Sequence, residues 1–192
     1  MNQEIRDAYT LWLCSLKGLG SASLYRLWKE SGEDPDFAGV WYRMAGEGGG
    51  AGMTNRLREI LRRGRKESSP QQLMEQLLNQ NIHFVWPGNP CYPVRLKNIP
   101  DPPFALYFRG RLPEEKQPSI GIVGTRMASP YGREQARRFA SELSAGGMQI
   151  ISGMAKGIDG IAGRGALDES DASFAVLGCG VDICYPKENQ DL

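Results

Sequence analysis

The feature that most constrains this chain is a repeat of apolar run, glycine-bearing turn and helix that begins at Ser119. Ile120, Ile122 and Val123 form a short apolar run bounded by Pro118 and Gly124, the pattern of a strand buried on both faces. Gly124, Thr125 and Arg126 then make a tight turn. Ser129 is placed to cap a helix, and Pro130 suits the first helical position, where no backbone donor is needed. The spacing predicts a helix over 130–145, with Ala136, Phe139, Ala140 and Leu143 toward a core and Gly146-Gly147 as its stop. A second strand follows at 148–152, a glycine loop at 153–160, a helix to about 168, and a third strand at 173–177 ending in Gly178-Cys179-Gly180. Strands alternating with helices predict an α/β fold: a parallel, doubly wound, Rossmann-like sheet with right-handed crossovers.

In a parallel sheet the strand C-termini share one edge, and ligands sit in the crevice where the strand order switches. All three strands here end in small-residue loops on that edge. Amides at a turn and a helix start, with the positive end of the helix dipole, suit a phosphate. Arg126 adds a planar fork of donors and Lys156 a second cation. Ser129 and Ser152 carry hydroxyl donors. The spacing is not G-x-G-x-x-G, and there is no Walker lysine. The second strand ends in Ser152-Gly153, where a dinucleotide enzyme places its ribose-binding acid. Asp159 comes later, where the loop turns into helix, a position from which it caps or rigidifies the turn. No pair of carboxylates at one loop suggests acid–base work. The expectation is phosphate recognition with no catalytic residues and no cofactor.

The first part of the chain reads differently. A helix is predicted over 3–16, then the turn Lys17-Gly18-Leu19-Gly20, then a second helix carrying Leu24, Leu27 and Trp28. Two readings stand: a helix-hairpin-helix element whose glycines admit a phosphate run, with Ser21 donating, or an ordinary αα-hairpin. A glycine-rich linker is expected at 45–52. The next helix, 54–66, crowds Arg56, Arg58, Arg62, Arg63, Arg65 and Lys66 into one segment, either a solvated face or a seat for a phosphate backbone. A helix at 70–81, a strand at 82–86, a turn-dense loop at 87–93, a proline-rich stretch at 96–103 that blocks helix and interior strand, and a strand at 104–110 complete this part. The expected division is a helical domain over 1–68 and a sheet domain over 69–192. With a net charge of +1 over 192 residues, any attraction for a polyanion must be local. The four scattered cysteines read as reduced, which with the absence of a signal-like start predicts a cytoplasmic protein. No run is long enough to span a bilayer. His83 is the one histidine, too little material for a histidine metal site or triad, and no metal is expected.

From about residue 80 onward the chain resembles the DNA-processing protein A family of single-stranded DNA-binding recombination mediators. The matching stretches are Tyr92-Pro93 with Ile99-Pro-Asp-Pro-Pro103 and Leu106-Tyr107; Gly121-Ile-Val-Gly-Thr-Arg126 with Ser129-Pro-Tyr-Gly132; Ser152-Gly-Met-Ala-Lys-Gly-Ile-Asp159 with Gly165-Ala-Leu167; and Ala175-Val-Leu-Gly-Cys-Gly-Val-Asp182 with Tyr185-Pro186 and Asn189. The helical first part resembles the family's SAM-like, hairpin-containing domain. The resemblance implies an extended Rossmann fold whose basic pocket holds DNA phosphates. On this chain the expected DNA- and phosphate-contact residues are Gly124, Thr125, Arg126, Ser129, Tyr131, Gly132, Ser152, Gly153, Lys156, Gly157, Asp159, Gly178 and Gly180. It also implies partners: single-stranded DNA, which the protein protects, and a RecA-type recombinase, which it loads in natural transformation. Bases need stacking platforms; Tyr131, Tyr185 and Phe108 are candidates, with Phe108 better suited to a core.

Two departures stand out. Family members carry a histidine where this chain has Ala162-Gly163, and they continue beyond the point where it stops, at Leu192. An N-terminal portion of such a protein is expected to leave an exposed sheet edge and uncovered apolar surface, and a homodimer would form through the missing elements. Two other readings remain: a nucleotide-monophosphate phosphoribohydrolase, which lacks its Pro-Gly-Gly-x-Gly-Thr loop here and would have Asp159 as its acid, and a fragment without independent function.

Overall fold

The apolar stripe of the first helix finds its partners far along the chain. Helix α1 (Gln3–Ser15) starts at Asn2, whose side chain accepts from Glu4 N, and it buries Tyr9, Trp12 and Leu13. Around it lie α2 (Ser21–Glu30), α3 (Phe37–Arg43), α4 (Asn55–Glu67) and α5 (Pro70–Asn79). A short antiparallel pair follows, β1 (His83–Val85) with β2 (Leu106–Phe108), and between them the four-residue α6 (Val94–Lys97). The computed structural model describes residues 2–30, 37–43 and 53–192, so the linker expected at 45–52 lies outside the described residues. The core joins Trp12 and Leu13 to Leu61 of α4 and to Phe84, Trp86 and Phe104. Trp12 meets the edge of Trp41 at 4.7 Å between ring centroids. Asp7 ties the base of α1 to the segment after β1, accepting from Trp86 Nε1 at 2.7 Å and Asn89 Nδ2 at 3.0 Å.

The chain divides into two compact units, Met1–Arg109 and Gly110–Leu192. This division falls later than the boundary expected after residue 68. The reason is the core: Phe84, Trp86 and Phe104 are spent on the helical unit, so 69–109 packs with the helices. The proline-rich stretch is irregular as expected except for α6, which starts directly after Pro93, where proline is tolerated. All four cysteines are unpaired.

The second unit has the predicted alternation: β3 (Ser119–Gly121), α7 (Pro130–Ala145), β4 (Gln149–Ser152), α8 (Ile158–Leu167) and β5 (Ser173–Ala175), then a 3-10 turn at Lys187–Asn189. The strands are parallel in the order β3-β4-β5, with Ile120 opposite Ile150 and Ile151 opposite Phe174. Both crossovers step the same way. Right-handed connections therefore put α7 and α8 on one face of the sheet, where they pack on each other. Small residues allow it: Ala140, Ala162 and Ala166 surround the fully buried Ile150. A Cβ on Gly165 would come within 2.6 Å of the Arg137 carbonyl oxygen. The fully buried Gln149 is satisfied by the segment before β3, donating to the carbonyls of Glu114 and Gln117 and accepting from Glu114 N.

The class is α/β with a parallel sheet, as expected, but three details differ. The run at 120–123 is not buried on both faces: β3 is at the edge of the sheet, Ile120 is 37% exposed and Val123 73%. Among the described residues the two crossover helices share one face, as in one half of a doubly wound sheet. For the same reason the order contains no switch point there. Phe139, expected in the core, is half exposed on α7 with the Arg138 guanidinium over its ring.

Gly165→Ala should lower the unfolding midpoint of the second unit by about 4–8 °C per kcal/mol, for a cost of roughly 1–3 kcal/mol of overpacking against backbone. Gly178→Ala, where a Cβ meets nothing within 4 Å, should leave it unchanged. Equal melting of the two variants would contradict the close α7–α8 approach.

Candidate nucleic-acid interface

The C-terminal ends of β3 and β4 are joined by one carboxylate. Asp159, the second residue of α8, is 6% exposed. Its Oδ1 accepts from Gly124 N at 3.2 Å and its Oδ2 from Gly153 N at 3.1 Å. Charged acceptors make the stronger hydrogen bonds, and a helix N-terminus favours an anion. The loops are also in backbone contact. Gly157 has φ +86, and a Cβ there would run into the Thr125 carbonyl oxygen and lie 2.8 Å from Arg126 Cα. Ile158 N donates to Thr125 O at 3.2 Å. Gly124 packs on Ile158, with 2.8 Å between its Cβ position and the nearest side-chain carbon. Arg126 and Lys156 therefore rise from adjoining loops, and both are exposed.

The turn into α7 organises itself. Thr125 Oγ1 accepts from Met127 N at 3.1 Å, and Ser129 Oγ accepts from Gly132 N at 3.1 Å as the helix cap, with Pro130 behind it. Arg133 Nε donates to Ala128 O at 3.1 Å. Tyr131 and Met127 stand in solvent, 72% and 88% exposed. The third loop joins through β5: Val176 N donates to Ser152 O at 2.8 Å. Beyond it Gly178 and Gly180 are exposed, and Gly180 O accepts from Ile183 N at 2.9 Å.

The expected site residues thus separate into three groups. Gly124, Thr125, Arg126, Ser129, Tyr131, Gly132, Lys156 and Gly157 gather where the first two loops meet. Gly178 and Gly180 lie on the third loop. Ser152, Gly153 and Asp159 belong to the frame. The Ser152 hydroxyl, expected as a ligand donor, is buried and gives its proton to Ile122 O at 2.7 Å. Asp159, expected among the contacts, has an amide on each oxygen. Of the proposed stacking residues, Tyr131 and Tyr185 are exposed, whereas Phe108 lies against the His83 ring at 5.1 Å. Among the described residues no group of three or more His, Cys, Asp or Glu is arranged to hold a metal.

Reading the sequence for local spacing misses the residues that clamp the second loop. Asn189 is buried and donates through Nδ2 to Met154 O at 2.9 Å and Ala155 O at 3.3 Å. Met154 sits at φ +53, a conformation that this clamp holds. Gly160 leaves the room, since a Cβ there would lie 2.8 Å from Asn189 Nδ2. Arg164 holds Asn189 Oδ1 in turn and pairs with Asp191. The Ala162-Gly163 departure falls on the buried side of α8, where a Cβ on Gly163 would meet Leu192 at 3.0 Å.

Comparison with known proteins places the chain among relatives. A model of the family "DNA recombination-mediator protein A" matches residues 83–192. The chain is 34% identical over 191 residues to Protein Smf of Synechocystis sp., covering 97% of this chain and 47% of that protein. It is 38% identical over 102 residues to DNA processing protein DprA of Streptococcus pneumoniae, covering 53% of this chain and 36% of that one. The X-ray structure of DNA processing protein A from Streptococcus pneumoniae superposes with a TM-score of 0.73 at 25% identity, covering 96% of this chain and 62% of that one. The chain spans about half the length of Protein Smf.

Asp159→Ala should cost on the order of 2–4 kcal/mol, because two amides lose a charged acceptor. Amide hydrogen exchange at Gly124 and Gly153 should accelerate in that variant, and Asp159→Asn, with one acceptor left, should protect one amide of the pair. Unchanged protection at both amides in Asp159→Ala would remove the carboxylate from its joining role.

Proposed function

The chain belongs to the DNA recombination-mediator protein A family, and from that premise we propose that its second unit binds single-stranded DNA by the sugar–phosphate backbone at the meeting of the 124–132 and 153–157 loops. One observation supports the reading: the close backbone approach of Gly157 to Thr125 and Arg126, which brings together the two loops that carry the exposed Arg126 and Lys156. Arg126 supplies bidentate donors and Lys156 a point charge. The α7 start adds its dipole and the Ser129 hydroxyl proton, the oxygen being occupied by Gly132 N. Contacts of this kind hold a strand without reading its sequence. Tyr131 offers a ring for one base, and Gly178 and Gly180 let a strand approach bare backbone. The same proposal extends, on the resemblance to that family, to a preference for single strands, protection of incoming DNA, delivery to a RecA-type recombinase in natural transformation, and pairing with a second copy.

Binding without catalysis is the reading favoured over a phosphoribohydrolase. The acid such an enzyme would use is Asp159, and both of its oxygens are engaged by backbone amides. Incubation with AMP should release no adenine.

Arg126→Ala and Lys156→Ala should each weaken binding of a labelled oligo-dT by roughly tenfold, the scale of one charge-assisted hydrogen bond. Each should also flatten the log–log salt dependence by about 0.7. Unchanged affinity and slope in both variants would overturn the assignment of this rim.

A further inference from the structure

The first unit has a cationic surface of its own. Helix α4 carries Arg56, Arg58, Arg62, Arg63, Arg65 and Lys66 against Glu59 and Glu67, in a chain of net charge +1, so the rest of the chain is net acidic. The inner side of α4 is accounted for. Leu61 and Gly64 are buried, and Arg65 lies over the Trp41 ring at 5.1 Å. The outer side is a run of Asn55, Arg58, Glu59, Arg62, Arg63 and Lys66, which line an open depression of about 470 Å³. Arg58, Arg62 and Lys66 are four residues apart, on one face, rising by about 6 Å each. Like charges at that spacing destabilise a helix. A solvated face balances them by alternating signs, as the neighbouring row Glu59, Arg63, Glu67 does, whereas the Arg58, Arg62, Lys66 row carries one sign. The ion pair on it, Arg63 to Glu67 at 3.9 Å, is exposed on both sides and holds its charge weakly.

The stripe does not stand alone. Helix α4 is seated on the α1–α2 hairpin. A Cβ on Gly64 would collide with Leu16, and Gly18, at φ +98, has Ile60 Cδ1 at 3.2 Å from its Cβ position. Arg63 Nη2 donates to Lys17 O at 3.4 Å. The stripe thus runs up to the turn Lys17-Gly18-Leu19-Gly20, and a Cβ on Gly20 would meet nothing within 4 Å. A row of cations continuing into an open glycine backbone fits an extended polyanion better than a compact one.

We propose that the outer face of α4 and the adjoining α1–α2 hairpin form a second binding surface for a nucleic-acid sugar–phosphate backbone. It does not depend on the Arg126–Lys156 rim. Single and double strands share that chemistry, and the arms of the experiment separate them. The test uses the full chain and fluorescence anisotropy with a labelled oligo-dT and a labelled mixed-sequence duplex. Arg62→Gln with Lys66→Gln removes two charges while keeping good helix formers. The same pair is also made in an Arg126→Ala, Lys156→Ala background. A Lys97→Gln, Lys116→Gln protein, with both changes outside the two surfaces, controls for net charge. The α4 pair should weaken binding of at least one ligand at least fivefold at low salt, in both backgrounds. It should flatten the salt slope by about 1.4 for the single strand or about 1.8 for the duplex. The ligand affected identifies the source of the backbone. The control should stay within twofold of the parent. An α4 pair that binds both ligands like its parent, or no worse than the charge control, overturns the second surface. Loss of binding on changing Arg126 and Lys156 alone speaks only to the rim.

Discussion

A carboxylate is costly to bury unless donors meet its oxygens, and Asp159 is met by the amides that end two neighbouring strands. That one group sets the spacing of the loops after β3 and β4. It is helped by the absence of a side chain at Gly157, which lets the second loop touch the carbonyl and Cα of the first. The loops that carry Arg126 and Lys156 take their spacing from this joint. Phosphate binding by preset amides and cations depends on such fixation, because ordering loose loops on binding would offset the electrostatic gain.

The frame around the joint is built from small residues and from buried polar groups that are satisfied. Ala140, Ala162, Ala166 and Gly165 bring α7 and α8 close over Ile150, while Arg137 and Asp168 close the solvent side of the same helix pair with a bidentate ion pair at 2.9 and 3.0 Å. Ser152 and Gln149 each spend their hydrogen bonds inside the unit. Asn189 and Arg164 then hold the loop that carries Lys156 from the outside. Among the exposed apolar residues, Val123, Ile120 and Val176 lie on β3 or just beyond the ends of the strands, while the two crossover helices cover one face only.

Much of this was readable in the residues. Ser129-Pro130 and Gly146-Gly147 mark both ends of α7, because caps act through the nearest turn of backbone. The burial of single residues was less readable. The apolar run at 120–123 has the composition of an interior strand, yet its exposure depends on which strands and helices lie beside it. Phe139 has helical spacing toward the core, yet the α7–α8 contact is too close for a ring and takes alanine and glycine instead.

What the sequence by itself determined is the local material: the alternation of strand and helix, the glycine turns, the caps, and the two clusters of cations. These follow from backbone preferences and periodicity within a few residues. The tertiary structure alone decided which of those residues meet a ligand and which hold the frame. Ser152 looks like a ligand contact along the chain and turns inward once β3 stands beside β4, Asp159 rigidifies the turn as its place at the loop-to-helix transition suggests but reaches a second loop to do so, and Asn189 gains its role only where a distant turn folds back on Met154. Such roles depend on partners tens of residues away, and a hydrogen bond across that separation leaves no periodic trace.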